Sequence, residues 1–294
     1  MILVAGSANL DFVVRAAHIP APGETVLGRE FRTYPGGKGA NQALACARAG
    51  GVATQMLLAL GEDAYAAPLE ASLREAGVGL HVRRQAVTPT GTAFICVSDD
   101  AENAITVAPG ANACLRPQDL PPLAGVSHLL LQLETPLDTV TAYAQAAAAA
   151  GLCVVLNAAP AAPLPATLLA ALDVLIVNEG ELAAVSGIVG DVDAALAAMA
   201  VPNLVVTLGA RGARARCGQA QFVQAGFAVD AVDTTAAGDT FCGVFVAALA
   251  RGDDWSAALR LACAAAALAC TRAGAQSSIP RHDEVLAFLN TGPA

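Results

Sequence analysis

Short apolar runs with the composition of buried strands alternate with helical segments along this chain, and this alternation most limits the folds open to it. The strand-like runs are residues 2–5, 57–61, 128–133, 153–156, 173–177 and 203–207. The helical segments are residues 40–49, 65–76, 139–150, 242–250 and 255–272. Strands that alternate with helices form parallel sheets with helices on both faces. The sequence therefore predicts an α/β fold with a doubly wound, mostly parallel sheet flanked by helices.

Two stretches depart from this pattern. Residues 12–35 are short apolar pieces broken by prolines and glycines, and residues 87–108 alternate polar and apolar side chains around a Ser-Asp-Asp turn. Both patterns are typical of β-hairpins. We expect the two stretches to pair as a small β-sheet that forms a lid, within a single domain that spans residues 1–294.

The composition limits which binding partners and which cellular compartment are expected for this protein. A net charge of −9 and an isoelectric point near 4.8 argue against nucleic acid or an anionic membrane as a partner. The apolar runs are too short to cross a bilayer, and the first residues read as a buried strand rather than a secretory signal. The eight cysteines form no C-x-x-C pair, so reduced and buried thiols are expected. Together these features predict a soluble cytoplasmic enzyme.

A stretch that reads Asp-Thr-Thr-Ala-Ala-Gly-Asp-Thr-Phe begins at Asp233 and leads into an apolar helix. Free amides at a helix N-terminus favour negative charge, so those of Ala236, Ala237 and Gly238 are candidates to hold a phosphoryl group. Asp239 stands beside them, where it could accept a proton from an attacking hydroxyl. An N-cap aspartate in a tight turn explains the same residues equally well.

A glycine-rich stretch, Pro-Gly-Gly-Lys-Gly-Ala-Asn-Gln-Ala, begins at Pro35 and opens the helix predicted at residues 40–49. Its glycines allow the backbone to approach a ligand, while Lys38 and Asn41 bring a cation and an amide to the helix start. It is not a Walker A loop, because Arg32 stands where the first glycine should be. A plain glycine-rich turn is the alternative.

Polar side chains follow the predicted strands. Asn9 and Asp11 come after the first strand, and Glu134 comes after the strand at residues 128–133. Ligands bind at this edge of a parallel sheet, and a carboxylate beside an amide suits a polyhydroxylated ligand. An Asx-turn at Asn9 and Asp11, and a helix N-terminal acid at Glu134, are the alternatives.

The glycine-rich stretch and the Asp233 stretch together resemble the two signatures of the ribokinase-like (PfkB) carbohydrate kinases, and the resemblance extends from Gly6 to the C-terminus. It implies phosphoryl transfer from ATP to a sugar hydroxyl, with Asp239 as the catalytic base and the neighbouring amides stabilising the transferred group. The chain is most similar to members that phosphorylate the 5-hydroxyl of D-ribose. Deoxyribose, another sugar or a nucleoside remains the alternative acceptor, and a catalytically silent binding protein the alternative class.

The resemblance also implies which residues bind the substrates. Glu134 lies in a Gln-Leu-Glu-x-Pro context, where the family contacts a sugar hydroxyl. The implied sugar-binding residues are Asn9, Asp11, Gly37, Lys38, Asn41, Glu134 and Asp239. The implied nucleotide-binding residues are Asn178, Thr207, Gly209, Gly212, Gly238 and Cys263, the last at a place where related sequences often have His or Asn.

Two metal sites and a homodimer are implied as well. Asn178 and Glu181 match an N-x-x-E motif that organises Mg2+ through water, although the same spacing is typical of a capping box. A K+ ion is implied at a site built mainly from backbone carbonyls, at Asp233, Thr235, Ala269, Arg272, Gly274 and Ser278. The family commonly pairs its lid sheets in a dimer, so a homodimer is expected here.

Overall fold

Nine strands form one large sheet in the computed structural model, which describes residues 1–100 and 102–291. Numbered along the whole chain, these strands are β1 (Ile2–Ala5), β4 (Thr54–Gly61), β5 (Gly79–Gln85), β8 (His128–Leu131), β9 (Cys153–Asn157), β10 (Val174–Asn178), β11 (Asn203–Thr207), β12 (Ala213–Cys217) and β13 (Ala220–Gln224). Their order is β13-β12-β11-β10-β9-β8-β1-β4-β5. All neighbours from β11 to β5 are parallel, and β12 and β13 add an antiparallel hairpin at one edge.

Helices cover both faces of this sheet. They are α1 (Lys38–Leu44), which continues as a π-helical turn (Ala45–Ala49), α2 (Ala66–Glu75), α3 (Leu137–Ala149), α4 (Ala166–Leu169), α5 (Glu179–Ser186), α6 (Val192–Ala198), α7 (Ala237–Arg251), α8 (Trp255–Cys270) and α9 (His282–Thr291). Alternate side chains of β1 enter separate cores: Ile2 packs in the cluster that contains Phe245 of α7, and Leu3 in the one that contains Tyr143 of α3. The predicted doubly wound α/β fold is confirmed. Within the described ranges, no helix is long and apolar enough to cross a membrane.

A second, four-stranded sheet is formed by β2 (Asn9–Arg15), β3 (Glu30–Gly36), β6 (Gly91–Val97) and β7 (Asn103–Ala108), in the order β3-β2-β6-β7. We call it the small sheet. Its strands come from the two stretches predicted to form hairpins, although β2 pairs with β6 in parallel. The expectation that Asn9 and Asp11 end the first parallel strand is wrong. The chain leaves β1 at Ala5 and enters β2 at Asn9, so both residues belong to the small sheet.

The carboxyl ends of adjacent parallel strands bring polar residues into one row. Ser7, Gln132, Asn157 and Asn178 follow or end β1, β8, β9 and β10, which are neighbours in the sheet. Ligands bind in this position in open α/β sheets. Helix α7 begins at the same edge, because Asp239 in its first turn contacts side chains of α1.

One strand, β5 (Gly79–Gln85), is not predicted by the apolar pattern. It forms an edge of the large sheet and pairs with β4 over seven positions. Its side chains are exposed or half-buried and include His81, Arg83 and Arg84. An edge strand buries less of its surface than a central one, and charged residues there discourage pairing with another chain. The charged and polar residues that protect this edge therefore leave β5 without the apolar run by which the other strands were predicted.

Candidate active site

The glycine-rich stretch packs against the chain segment that follows β1. A Cβ atom on Gly37 would lie 2.7 Å from the backbone nitrogen of Asn9, and one on Gly39 would lie 2.6 Å from that of Ser7. Gly37 also has a φ of 91°, which side chains disfavour. These glycines, expected to admit a ligand, thus let α1 approach its own chain. This contact sets the start of α1 beside the small sheet.

Asp239 lies in the first turn of α7 and is 8% exposed. Its Oδ2 accepts a hydrogen bond from Asn41 Nδ2 at 2.9 Å, and its Oδ1 accepts one from Gln42 Nε2, also at 2.9 Å. Both donors belong to α1. Because each carboxylate oxygen accepts a side-chain amide, the carboxylate is held in one orientation and its negative charge is stabilised.

The amides before Asp239 were the predicted anion cradle, and the structure leaves two of the three available. Ala236 precedes α7 with a φ of 60°, in the left-handed region that alanine seldom adopts. Among the described residues, none accepts a hydrogen bond from the amides of Ala236 and Gly238. The amide of Ala237 instead donates to the carbonyl of Thr234 at 3.2 Å.

Glu134 ties together three segments at the edge of the sheet. Its Oε2 accepts a hydrogen bond from Ser7 Oγ at 2.5 Å and another from the backbone nitrogen of Lys38 at 3.0 Å. The turn after β1, the turn after β8 and the start of α1 therefore meet at one carboxylate. The alternative of a simple helix N-terminal acid does not describe these contacts, because both donors lie far from Glu134 in the sequence.

Asp11 and Asn9 lie buried on β2, facing the same region. Asn9 Oδ1 accepts a hydrogen bond from Asn112 Nδ2 at 2.8 Å. Burial, together with the negative charges of Glu134 and Asp239, raises the pKa of Asp11 from 3.8 to about 7. These interactions indicate that three carboxyl groups share this part of the molecule.

Besides Oε1 of Gln132, two acceptors in this region have no donor in the part of the chain that the structure describes. They are the carboxylate of Asp11 and the buried Oδ1 of Asn41. A buried polar group without a partner is costly, so each such group needs an explanation. A ligand that carries several hydroxyl groups would supply the missing donors.

A cavity of about 240 Å³ lies beside Asp239, and its lining includes Lys38, Asn157, Glu181 and Gly238. The charge of Asp239 raises the pKa of Lys38 although burial opposes this, and Glu134 and Glu181 act in the same direction as Asp239. Lys38 is the only lysine in the chain. The arrangement therefore keeps one half-buried cation charged next to the α7 N-terminus.

A larger cavity of about 820 Å³ adjoins the first, because the two share Asn178, Thr207, Thr234 and Gly238 in their linings. All six residues predicted to bind a nucleotide line it: Asn178, Thr207, Gly209, Gly212, Gly238 and Cys263. Other parts of its wall are apolar or glycine and carry no motif, so the sequence did not reveal them: Gly226, Phe227, Ala228, Val229, Ala266 and Ala267.

Asn178 and Glu181 form a capping box at the start of α5, as the alternative interpretation predicted. Asn178 Oδ1 accepts from the backbone nitrogen of Glu181 at 2.8 Å, and Glu181 Oε2 accepts from that of Asn178 at 2.9 Å. The other carboxylate oxygen of Glu181 has no hydrogen-bond partner among the described residues, and Glu181 lines the smaller cavity. Burial raises the pKa of Glu181, and the charge of Asp239 also raises it. A divalent cation would relieve this repulsion.

The segments predicted to hold a monovalent cation are joined by the side chain of Asp233. Its Oδ1 accepts from the backbone and hydroxyl of Thr235 at 2.9 and 2.6 Å, and its Oδ2 accepts from the backbone nitrogen of Gly274 at 2.9 Å. Burial alone would raise the pKa of Asp233, but the hydrogen bonds from Thr235 and Gly274 outweigh it and lower the pKa.

Among the described residues, no donor reaches the carbonyls of Asp233, Thr235, Arg272 and Gly274. The other predicted ligands have partners: Ala269 accepts from the nitrogen of Arg272, and the hydroxyl of Ser278 donates to Ala275. Free carbonyl oxygens on two segments that a side chain ties together have the chemistry of a site for a hard cation.

Two of the three cysteines that line the cavities, Cys242 and Cys263, are unreactive thiols. Burial raises the pKa of Cys263 to about 12. Burial also raises the pKa of Cys242 well above its usual value, and the charge of Asp239 adds to this effect. Because the thiolate is the nucleophilic form, neither residue is suited to covalent catalysis. Asp239 remains the group placed to move a proton.

Comparison with known proteins tests the resemblance seen in the two motifs. The sequence model of the pfkB family carbohydrate kinases matches residues 1–282. This chain belongs to that family. The resemblance seen in the two motifs is confirmed.

Individual members of the family match over nearly the whole chain. The ribokinase of Haemophilus influenzae is 40% identical over 301 residues, which cover 98% of each protein. The structure of Arabidopsis thaliana ribokinase complexed with ribose and ATP superposes with a TM-score of 0.91 at 32% identity and covers 99% of each chain. The deoxyribokinase of Salmonella typhimurium is 32% identical over 98% of each protein.

Proposed function

We propose that this kinase transfers the γ-phosphoryl group of ATP to the 5-hydroxyl of D-ribose, with Asp239 as the catalytic base. One observation carries the proposal. Asp239 is buried at the N-terminus of α7, bonds Asn41, whose Oδ1 has no partner among the described residues, and lines the cavity that adjoins the larger pocket. This is where a proton acceptor must lie if a sugar hydroxyl is to attack a nucleotide phosphate.

The sugar is held by acceptor groups to which no described residue donates a hydrogen bond. Ribose hydroxyls donate to the carboxylate of Asp11 and to Asn41 Oδ1, while Asn9 and Glu134 keep the surrounding turns in place. Buried acceptors that need a hydroxyl donor discriminate strongly against analogues that lack it. Gly37 and Lys38 contribute backbone at the start of α1. The small sheet forms the cover of this pocket and excludes water during transfer.

In the transfer step, Asp239 accepts the proton of the 5-hydroxyl as the sugar oxygen bonds to the γ-phosphorus. The bond between that phosphorus and the oxygen of the leaving ADP breaks at the same time. The amides of Ala236 and Gly238 and the charge of Lys38 stabilise the negative charge on the transferred group. Release of the Ala237 amide from Thr234 would add a third donor.

ATP occupies the larger cavity with its phosphates towards Gly238, because that end adjoins the smaller cavity. The adenine then lies at the other end, among Phe227, Cys263, Ala266 and Ala267. Pockets of this kind are mostly apolar with few polar groups to fix orientation.

Glu181 would hold Mg2+ through water, since its free carboxylate oxygen lies at the smaller cavity and Mg2+ keeps much of its hydration shell. Asn178 would contribute through the capping box that orients Glu181. When bound, Mg2+ neutralises charge on the ATP phosphates. The free carbonyls near Asp233 and Gly274, with Thr235 and Arg272, would hold K+, with Ala269 and Ser278 completing the loop.

A coupled assay of ADP release tests the acceptor and the cation together. We expect turnover with MgATP and ribose that exceeds turnover with fructose or adenosine, and that falls when sodium replaces potassium. Deoxyribose is the second candidate, because a deoxyribokinase matches the chain over its full length. Higher kcat/KM on deoxyribose would change the substrate but keep the chemistry. No turnover on any of the four acceptors would contradict the proposed function.

We also propose that the chain forms a homodimer through the small sheet. Phe31, Phe94 and Ile105 on that sheet are 63%, 53% and 55% exposed, and exposed apolar groups of this size favour cover by a second copy. Sedimentation velocity should give a species of twice the 29.3 kDa chain mass. The Ile105→Lys variant should sediment as a monomer, whereas Val189→Lys, at an equally apolar site outside the sheet, should not. A monomer at every concentration of the unaltered protein would refute the dimer.

We further propose that the protein is located in the cytoplasm. Its use of ATP and its eight cysteines, none of them in a disulfide, support this location.

A further inference from the structure

Gln42 is fully buried and uses every hydrogen-bonding position of its amide group but one lone pair. Its Nε2 donates to Asp239 Oδ1 and to Asn157 Oδ1, each at 2.9 Å. Its Oε1 accepts from Gln132 Nε2 at 2.7 Å. Asn157 is held in turn, because its Nδ2 donates to the carbonyl of Ile176 at 3.1 Å. Gln42 therefore has no donor left for a ligand.

The direction of this chain of amides follows from the charge of Asp239. An ionised carboxylate only accepts hydrogen bonds, so the nitrogen of Gln42 must face Asp239 and its oxygen must face Gln132. Gln132 must then donate. Its own Oε1 is buried and has no partner in the described part of the chain, and this unpaired acceptor destabilises the fold.

Asn41, the preceding residue, behaves differently. It also donates to Asp239, but its Oδ1 has no partner among the residues that the structure describes and so remains available to a substrate hydroxyl. The two neighbouring amides therefore have different roles. Asn41 faces the sugar pocket, and Gln42 faces the protein interior.

The contact between α1 and α7 sets the distance from Gln42 to Asp239. Gly243 lies one helical turn after Asp239, and a Cβ atom there would lie 2.6 Å from the carbonyl oxygen of Gln42 and 2.6 Å from the Cβ of Ala45. The two helices are thus packed closely one turn after the carboxylate. A leucine at position 42 would have a similar volume but could not bond Asp239, Asn157 or Gln132, so the amide is distinguished from an apolar side chain by these three hydrogen bonds.

We propose that Gln42 is a positioning residue that keeps the carboxylate of Asp239 aimed at the sugar hydroxyl without touching the sugar, an inference that rests on the proposed function. A hydrogen bond donated to a carboxylate favours its charged form, and the effect is large where water is excluded. Gln132 acts through Gln42, because Gln42 is the only side chain in the described residues that it bonds.

The test uses the full-length protein and the acceptor that the unaltered protein phosphorylates. We expect Gln42→Leu to lower kcat by about ten- to a hundredfold, as for loss of a charge-assisted hydrogen bond, with KM for the sugar within about threefold. The acidic limb of the kcat profile should move to higher pH. Gln42→Glu, which has the same shape, should move that limb further, because two carboxyl groups would then share one proton.

Two comparisons separate positioning from folding. Gln55→Leu removes an amide whose side-chain partner among the described residues is His81 and which lines neither cavity, so it should change neither kcat nor the pH profile. Gln132→Leu should lower kcat less than Gln42→Leu, and the double variant should match Gln42→Leu alone, since one residue acts through the other. Thermal unfolding confirms that each variant is folded. If Gln42→Leu does not fold, Gln42→Glu carries the same test.

Unchanged kcat and an unchanged acidic limb in a folded Gln42→Leu or Gln42→Glu variant would overturn the inference. A rise in sugar KM with kcat unchanged would also overturn it, because it would make Gln42 a sugar contact. Absence of turnover in the unaltered protein is a separate result that counts against the proposed function. The ratio of variant to unaltered kcat is measured on whichever acceptor is used, so an error in the sugar leaves the inference testable.

Discussion

The Asp239→Asn variant should lose about a thousandfold in kcat, since general-base catalysis contributes on this scale. Among the described residues at the α7 N-terminus, the carboxylate is the group that can take the hydroxyl proton, because Cys242 beside it is held as a thiol. An asparagine also has one acceptor oxygen, whereas Asn41 and Gln42 both donate to this position. One of the two amides would therefore face another donor. Ribose binding should persist, since Asp11 and Glu134 are unaltered.

Steady-state kinetics and calorimetric titration with ribose measure the two effects separately. Asp173→Asn is the matched control, because Asp173 accepts a hydrogen bond from the backbone of Val154, away from the site, and asparagine can keep that bond. The control should retain kcat. Turnover of Asp239→Asn within about tenfold of the unaltered protein would be too high for loss of the base.

The Asp11→Asn variant should weaken ribose binding by about a hundredfold, as expected for loss of charge-assisted hydrogen bonds, and yet stabilise the protein without ligand. Burial, with the charges of Glu134 and Asp239, raises the pKa of Asp11 from 3.8 in the unfolded chain to about 7. As pH rises from 4 to 7, the unfolded chain ionises while the folded protein keeps its proton. Ionised Asp11 therefore lowers the free energy of unfolding. Above pH 7 this loss reaches its full value of about 4 kcal/mol.

Thermal unfolding at pH 8 and pH 5 and calorimetry with ribose check this prediction. The gain in Tm for Asp11→Asn should be larger at pH 8 than at pH 5. In the unaltered protein, ribose affinity should fall as pH drops below 7, because binding favours the carboxylate, and this pH dependence should disappear in the variant. If the variant and the unaltered protein have equal Tm and equal ribose affinity at pH 8, Asp11 neither destabilises the fold nor binds ribose.

Asp63→Asn is a control of the opposite sign. Burial alone would raise the pKa of Asp63, but hydrogen bonds from Thr90 and Tyr65 outweigh it and lower the pKa. The ionised form therefore stabilises the fold at pH 8, and its replacement should lower Tm. A rise in both variants would point to a general effect of reduced negative charge instead.

The fold class could be predicted from the sequence because hydrophobic periodicity is local. Central strands such as β1 (Ile2–Ala5) and β10 (Val174–Asn178) are buried on both faces, so each reads as a continuous apolar run. The π-helical turn (Ala45–Ala49) and the edge strand β5 (Gly79–Gln85) could not be predicted, because packing and edge position decide them rather than composition. The parallel pairing of β2 with β6 depends on chain segments far apart in the sequence.

The motifs identified the family and most residues at the two cavities, because glycines, amides and carboxylates with this spacing are rare outside a functional site. They did not reveal Ser7, Gln42 or Asn157 as partners of the site. Gln42 lies inside the first motif, but its bond to Asp239 spans 197 positions. That bond exists only because α1 and α7 meet at Gly243.

Local composition thus determined the order of strands and helices, the family and the chemical groups present. The tertiary structure alone decided which of those groups touch, which remain without partners and how burial alters them. Asp11 and Asp63 are both aspartates that follow apolar runs, but burial beside two carboxylates raises the pKa of one while amide donors lower that of the other. Charge and hydrogen-bond energies depend on distance in space and on access of water, and neither is encoded by position along the chain.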